Sequence, residues 1–444
     1  MTDSPRIPTE SPNVSRRRFL QVGGAGVAAG SLLTMLDARQ APAQIKGTSL
    51  RILVWSHYVP AYDVWFDKFT KEWGDKTGVK VRVDHIPHLE LPARYAAEFA
   101  AGAGHDLIYF VGQILTGQYY RNLVDLSDVA EGLGKKYGGW LESSKSAAQV
   151  NGVWYALPDF FISIPVLWRK DLFASIGMGE PKTWDDLRKA AGQLKGKGHP
   201  TGMQFSHCND ANHNWRALMY SFGVKETDPS GQNILIDSKE MREALAFGKA
   251  LYDEGMTSEV FSWDDAADNR FLASGVASWI HDAISAFHST RLTNPKVFAE
   301  TFVVPEVAGP GGRWNVGEPN VWAIWKFSKN IPAAKEFIQY ISDNQKDAME
   351  ASLGYNMPFL KDQYKKPMPY LGKDAKLAAL QDQEKLTAFL GFPGPMTPPA
   401  QEVVTTFIVP DMFTKVARGA PIEDTMKWGV GEIRRIYGKH KAAS

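Results

Sequence analysis

Two groups of residues in this chain have types and spacing that could do chemistry. The first is His207-Cys208-Asn209-Asp210 with His213, side chains that zinc accepts as ligands. Their spacing matches no closed structural zinc site, and the segment sits where a loop enters a helix. Asp210 or Asn212 therefore also reads as the helix cap. The second group is spread along the chain: His57, Tyr58 and Gln113 at the ends of expected strands, Asp159 and Phe160 directly after another, and His281, Asp282, Trp314, Glu318, Asn320, Tyr355 and Asn356 in later segments. Aromatic faces stack on the C–H faces of sugars and polyols, while carboxylates and amides take the hydroxyls. Trp314 is the preferred stacking platform, and Trp215 and His207 are further candidates. Asp282 also fits as the cap of a helix starting at Ala283. Trp263 with Asp264 and Asp265 could contribute, although an aspartate pair at a helix start usually complements the dipole.

The motifs of hydrolytic enzymes are missing. There is no His-Glu-x-x-His and no Gly-x-Ser-x-Gly, and the single cysteine among ten histidines defines no dyad. Acidic pairs alone do not establish a glycosidase. The chain has no Gly-x4-Gly-Lys-Ser/Thr loop, so any ATPase working with it is a separate subunit.

The elements that must position these residues follow from periodicity. Leu50 to Trp55 reads as a buried strand, and Tyr62, Trp65, Phe66, Phe69 and Trp73 form one face of the next helix. Val79 to Val83 alternates as a strand. A helix near 91–101 stops at Gly102, and Asp106 to Val111 is a third strand. This β-α-β-α-β order predicts a parallel sheet covered by helices, with ligands gathering beyond the carboxyl ends of its strands. Those ends are Ser56-His57-Tyr58 and Gly112-Gln113. Later, Ile162 to Trp168 and Val276 to Ile280 read as strands. Thr183-Trp184-Asp185-Asp186 opens a helix as a variant capping box, Ser238 caps another, Val321 to Trp325 is a strand, and Asn330 caps a helix through Ile341.

The N-terminus limits where this chemistry happens. Ser15-Arg16-Arg17-Arg18-Phe19-Leu20 precedes a Gly/Ala-rich apolar run and ends at Ala41-Pro42-Ala43, the pattern of a twin-arginine export signal. The run from Val22 to Leu36 is too short to span a bilayer. Removal of residues 1–43 leaves 401 residues with 45 basic and 46 acidic side chains. That near-zero balance argues against nucleic acid or an anionic membrane as partner. A periplasmic location is expected, and Cys208 has no cysteine to pair with there.

Six segments, taken in order, carry a resemblance. They are Asn151 to Pro158, Lys182 to Leu187, Phe271 to Trp279, Trp314 to Ile324, Ser328 to Asn330 with the helix after it, and Gly354 to Pro358. Together the chain from Leu50 to about Gly438 resembles family 1 extracellular solute-binding proteins, the carbohydrate-type receptors of ABC importers related to maltose-binding protein. The resemblance implies an α/β periplasmic-binding-protein type II fold. Residues 48–160 with 281–328 would form an N-terminal lobe and 161–280 with 329–444 a C-terminal lobe. The chain would cross near Phe160, Ile280 and Ser328, with the ligand in the cleft between. It is the resemblance that places His281, Asp282, Trp314, Glu318, Asn320, Tyr355 and Asn356 at that cleft. It also implies a monomeric binding protein rather than an enzyme, without cofactor or metal, that delivers its solute to membrane permease subunits. Two departures, Ala277-Ser278-Trp279 and Gly317-Glu318-Pro319-Asn320, fall where the resemblance puts the cleft and bear on which solute is bound.

The expected cleft segments are rich in acids, amides and rings and nearly free of Lys and Arg, with Arg216 and Arg313 the nearest candidates. An anionic ligand would need paired cationic donors. A neutral saccharide or polyol is therefore favoured. A cationic solute such as a polyamine, held by carboxylates and cation–π contact, is the alternative among binding proteins. An exported hydrolase or metalloenzyme is the alternative from another class.

Overall fold

The computed structural model describes residues 45–112 and 115–443. The export signal and Gln113 lie outside the described residues. In chain order the elements that matter here are β1 (Ser49–Trp55), α1 (Pro60–Thr77), β2 (Lys80–Ile86), α2 (Leu91–Ala101), β3 (Leu107–Val111), β4 (Leu157–Ile162) and β5 (Val166–Arg169). They continue through α3 (Trp184–Lys195), α4 (Asn209–Ser221), α5 (Lys239–Gly255), β6 (Trp279–His281), β7 (Thr301–Val304) and β8 (Glu318–Ile324). The last are α6 (Ile331–Asp343), β9 (Asn356–Pro358), α7 (Ile408–Ala417) and α8 (Ile422–Ala443).

Two sheets organise the molecule. The larger has the order β9-β4-β8-β3-β1-β2, and the smaller has the order β6-β5-β7. β1 pairs in parallel with β2 and β3, as the β-α-β-α-β reading requires. The sheet is nevertheless mixed, because β8 runs antiparallel to both β3 and β4. Its inner strands are buried on both faces, whereas the edge strand β2 is half-exposed, and α1 covers one face through Tyr62, Phe66, Phe69 and Trp73. Burial of those rings is the main stabilising term here, roughly 2 kcal/mol for each large apolar side chain.

Strand pairing groups the chain differently from the expected boundaries. The expected strand from Ile162 to Trp168 breaks at residues 163–165, where the chain leaves one sheet for the other. That crossing lies close to the one expected near Phe160. β6 and β7 both pair with β5, so residues 281–304 stay with the smaller sheet, and Ile280 is inside a strand rather than at a crossing. The return runs through residues 305–317. α6 packs back on β1 and β8, because its Ala334, Phe337, Ile338 and Ile341 stripe has the six-stranded sheet to cover. Ser328 is therefore not a crossing either, and the chain leaves for the smaller sheet's side only after β9. The capping box at Thr183 and the Ser238 cap form as read. Asn330 makes no side-chain cap, since its Nδ2 instead donates to Asp106 Oδ1 at 3.1 Å.

The connections meet at one place. Asn315, fully buried, donates through Nδ2 to the Ile164 carbonyl and accepts from the Ile164 N–H at Oδ1, 3.5 Å away. Asn315-Val316 also pairs with Thr387-Ala388, which belongs to the later connection. One amide thus ties the first crossing to the second, beside the third. Replacing Asn315 by Ala leaves the buried Ile164 carbonyl without its donor and should cost about 2 kcal/mol of stability. Urea unfolding measures this, and a loss below about 0.5 kcal/mol would show that the amide does not hold the crossing together.

Candidate functional site

A narrow cavity, with room for about one water molecule, lies between the two sheets. Tyr58 follows β1, Glu318 opens β8 and Tyr355 precedes β9, so the larger sheet supplies three of its walls. Asn209 and Asp210 begin α4, Asp265 precedes the helix at 267–273, and Asp282 follows β6 on the other side. Ile164, at the crossing itself, and His88, Ala283 and Ser285 complete the lining. No Lys or Arg lines it.

The wall is acidic to an unusual degree. Burial first, then the charges of Asp265 and Asp282, hold the Asp210 carboxyl well above the usual carboxylate range. Burial, then Asp268, does the same for Asp282. Burial and Asp265 push Glu318 up to about 8, and burial pushes Asp268, just behind the wall, up to about 7. Each buried carboxylate raises the cost of ionising the next. The donors that hold this cluster are few. Gln204 Nε2 bridges Asp210 Oδ2 at 3.1 Å and Asp268 Oδ2 at 2.8 Å. The Asp210 N–H donates to Asp265 Oδ1 at 3.0 Å, and the Ala283 N–H to Asp282 Oδ1 at 2.6 Å.

One bond closes the cavity from side to side. Asn209 Nδ2 donates to Glu318 Oε2 at 2.6 Å. The approach is possible because Gly112, at φ +62°, follows β3. A Cβ there would lie 2.8 Å from both Asn209 Nδ2 and Glu318 Oε1. Glycine is required for the left-handed backbone and for the space.

Of the residues expected at a cleft, Tyr58, Asp282, Glu318 and Tyr355 are brought together. The others lie elsewhere. His57 sits behind the wall, bonded to Asn356 Oδ1 at 3.0 Å, and its burial pulls its pKa down to about 4. Asp159 is buried under the sheet, accepting from Tyr109 at 2.7 Å and from Gln345, and burial pushes it up to about 6. Phe160 packs among His57, Tyr62 and Tyr109. Trp215 is core, stacked on Phe413 at 4.5 Å with its indole N–H on the Gln204 carbonyl. His281 is held between Asn214 at 2.7 Å and Glu306 at 2.9 Å. Asn320 is buried with Nδ2 on the Glu318 carbonyl. Trp314, expected as the stacking platform, packs on Phe392 at 4.6 Å and lines no wall of the cavity.

The zinc-like cluster does not assemble. His207 is exposed, stacked on Phe407 and paired with Asp411 at 2.7 Å. Burial pushes the Cys208 thiol far up, away from the thiolate a metal needs. His213 turns back to the Asn209 carbonyl. Among the described residues, Asp210, Asp268 and Asp282 are the group whose ligand atoms lie within 4.8 Å of one another.

Asn209 and Asp265 are the contributors that sequence reasoning undervalued. Asp265 reads from sequence as half of an aspartate pair at a helix start, and Asn209 as part of the zinc-like cluster at a loop-to-helix junction. A broad groove also runs between residues 117–152 and 387–441. It is open, and several of its charges are already paired, Lys145 with Glu142 and Lys439 and His440 with Glu402.

The profile described as bacterial extracellular solute-binding protein matches residues 59–348. A binding protein of Brucella abortus (strain 2308) is 23% identical over 374 residues, 80% of this chain and 85% of the relative. Maltose-bound MalE3 of T. maritima superposes with a TM-score of 0.75 at 21% identity, over 88% of this chain and 100% of that one. An ABC transporter solute-binding protein of Agrobacterium radiobacter K84 in complex with ribitol gives 0.73 at 19% identity, over 88% and 99%.

Raised carboxyl pKa values have a sign. A carboxyl that binds its proton more tightly folded than unfolded stabilises the fold below its ordinary value, and the gain is lost as pH rises toward the folded value. Between pH 5 and 8 Glu318 should therefore weaken the ligand-free protein. Glu318→Gln should match wild type near pH 5 and exceed it by on the order of 2 kcal/mol at pH 8. Melting curves across that range test it, and parallel curves would show that Glu318 does not titrate there.

Proposed function

The chain belongs to the bacterial extracellular solute-binding proteins, and from that premise we propose that it captures a small polyhydroxylated solute of the saccharide or polyol class and presents it to an ABC permease. The fold is the α/β periplasmic-binding-protein type II arrangement. The observation that carries the reading is the cavity's two-sided construction, with Tyr58, Glu318 and Tyr355 facing Asn209, Asp210, Asp265 and Asp282. A site walled by both sheets forms only when they close, which is how binding becomes a shape that a permease can read.

The two sheets act as lobes, the larger gathering residues 45–162 with 318–358 and the smaller residues 166–304 with 398–443. Hinges lie at 163–165, 305–317 and 359–397. The arrangement described here is the closed one, with the Asn209–Glu318 bond shut across the cleft. The space left between the walls holds little more than one water molecule, so the sheets must part to admit a solute, and a small one such as the ribitol held by the Agrobacterium protein is favoured over a long oligosaccharide. The two tyrosines serve as the stacking surfaces that Trp314 was expected to provide. The protein works as a periplasmic monomer exported by the twin-arginine route, and it releases its solute chemically unchanged.

Thermal shift across tetritols, pentitols, hexoses and disaccharides, followed by X-ray scattering with the best binder, tests this. Binding should raise the melting temperature by mass action and shrink the radius of gyration. Tyr58→Ala and Tyr355→Ala should each weaken binding about tenfold or more, whereas Trp314→Ala should stay within about twofold. Loss of binding in Trp314→Ala with both tyrosine variants intact would move the site away from this cavity.

A further inference from the structure

The cavity is short of donors. Apart from the carboxylates, Asn209 is 97% removed from solvent, and its Oδ1 accepts no hydrogen bond; the same holds for Asp265 Oδ2. Both residues line the cavity. The amide donors beside the acids are already used, which leaves the Tyr58 and Tyr355 hydroxyls and His88 Nδ1 on the wall. Asn209 Nδ2 is on Glu318, both Gln204 amide bonds go to Asp210 and Asp268, and the Asp210 N–H is on the other oxygen of Asp265. A buried acceptor without a donor is unfavourable, and more so when it is charged. The lining therefore presents unused acceptor oxygens and carboxyls that burial and their mutual repulsion hold toward the protonated form, with His88 as its only basic side chain. Burial lowers the pKa of that imidazole and keeps it from supplying a counter-charge.

Resting on the reading of this cavity as the solute site, we propose that the solute carries a protonated amine, seated against Asp210, Asp265, Asp282 and Asn209 Oδ1: an amino sugar or amino polyol rather than its neutral counterpart. An ammonium group has three donors and one charge, and Asp210 and Asp282 bring carboxyl oxygens within 4.8 Å of one another beside the unpaired oxygens of Asn209 and Asp265. The rings of Tyr58 and Tyr355 give the cation a second favourable surface. A bare divalent cation fits less well. Calcium takes six to eight oxygens, yet both Asp268 oxygens already accept bonds, from Gln204 and from the Asn269 N–H. One oxygen each of Asp210 and Asp282 is also taken, and the tyrosine faces would contribute nothing to a hydrated metal ion.

Matched pairs test this in the full mature chain by calorimetry. The probes are D-glucosamine against D-glucose, D-galactosamine against D-galactose, and 1-amino-1-deoxyribitol against ribitol, with putrescine and calcium chloride as separate arms. The expected result is at least one amine bound about a hundredfold more tightly than its hydroxyl partner, with protons released on binding when buffers of different ionisation enthalpy are compared. Asp210→Asn and Asp282→Asn should each reduce that affinity about tenfold or more while leaving the ligand-free protein folded by circular dichroism. Neutral partners bound as tightly as the amines would overturn the charge assignment and leave the solute-receptor reading standing. Stabilisation by calcium that EDTA reverses, without any amine preference, would overturn it in favour of a metal ion. Binding of putrescine alone would overturn the polyol part. No binding and no compaction with any probe would overturn both readings together.

Discussion

Buried like charge is the constraint around which this molecule is built. Asp210, Asp265, Asp268 and Asp282 come from the smaller sheet's side and Glu318 from the larger, and no lysine or arginine stands among them. Taking charge out of water is unfavourable, and placing a second like charge beside it compounds the penalty. Everything around the cavity limits that penalty without removing it. Gln204 distributes one amide over two carboxylates, the first turn of α4 offers its N–H groups to Asp265, and the chain at Ala283 turns an N–H onto Asp282. These bonds fix the positions of the acids. They do not neutralise them.

A second tier of buried polar groups keeps the wall rigid, and here the charges are balanced. His281 spans Asn214 and Glu306, and Asn214 in turn donates to Gln204, so the amide that positions the acids is itself positioned from beneath. Arg216, fully buried on the same helix, pairs with Glu226 at 2.7 Å and returns to Asn212 Oδ1. On the other side Asp106 accepts from the Arg51 N–H, Ser328 and Asn330, which fixes the loop after β8. Unpaired buried polar atoms are not confined to the cavity, since Asn320 Oδ1, Asn356 Nδ2 and His213 Nε2 also lack a partner, but Asn209 Oδ1 and Asp265 Oδ2 belong to residues that line it.

Much of the fold could be read from local pattern. The apolar spacing of Tyr62, Phe66, Phe69 and Trp73, the alternation near Val81 and the Thr183 capping box each report a contact with nearby chain, and each appears as read. Sheet membership could not be read in that way. Nothing local in Thr301 to Val304 distinguishes pairing with β5 from pairing with β8, and α6 carries a stripe that would cover either sheet. Tyr58 was legible from its place at the end of β1, although a buried packing ring was an equal reading, and Asp282 lines the cavity although it also read as a helix cap. Other parts of the wall were not legible. Asn209, Asp210 and Asp265 stand at helix starts, where polar residues are common, and only the meeting of distant segments shows that their free oxygens face one space. Trp314 was attractive by type alone, and Phe392, seventy-eight residues away, takes its face.

The same charge explains why such a cleft would open when empty. Glu318 joins the four aspartates only when the sheets are together, held by a single hydrogen bond from Asn209. Such a bond contributes roughly 1.5–3 kcal/mol when one partner is charged, and protonation of Glu318 lowers that. Against it stands the cost of bringing a fifth carboxyl into a dry, already acidic space, visible in how far the folded protein holds Glu318 above its ordinary pKa. A ligand can shift an equilibrium only by its differential affinity for the two states. In the proposed seat the acceptors all belong to the smaller sheet's side, and what closure would add for a protonated amine is the rings of Tyr58 and Tyr355 and the exclusion of water. On that reading the acidic wall would disfavour closure without solute and favour it with solute bound.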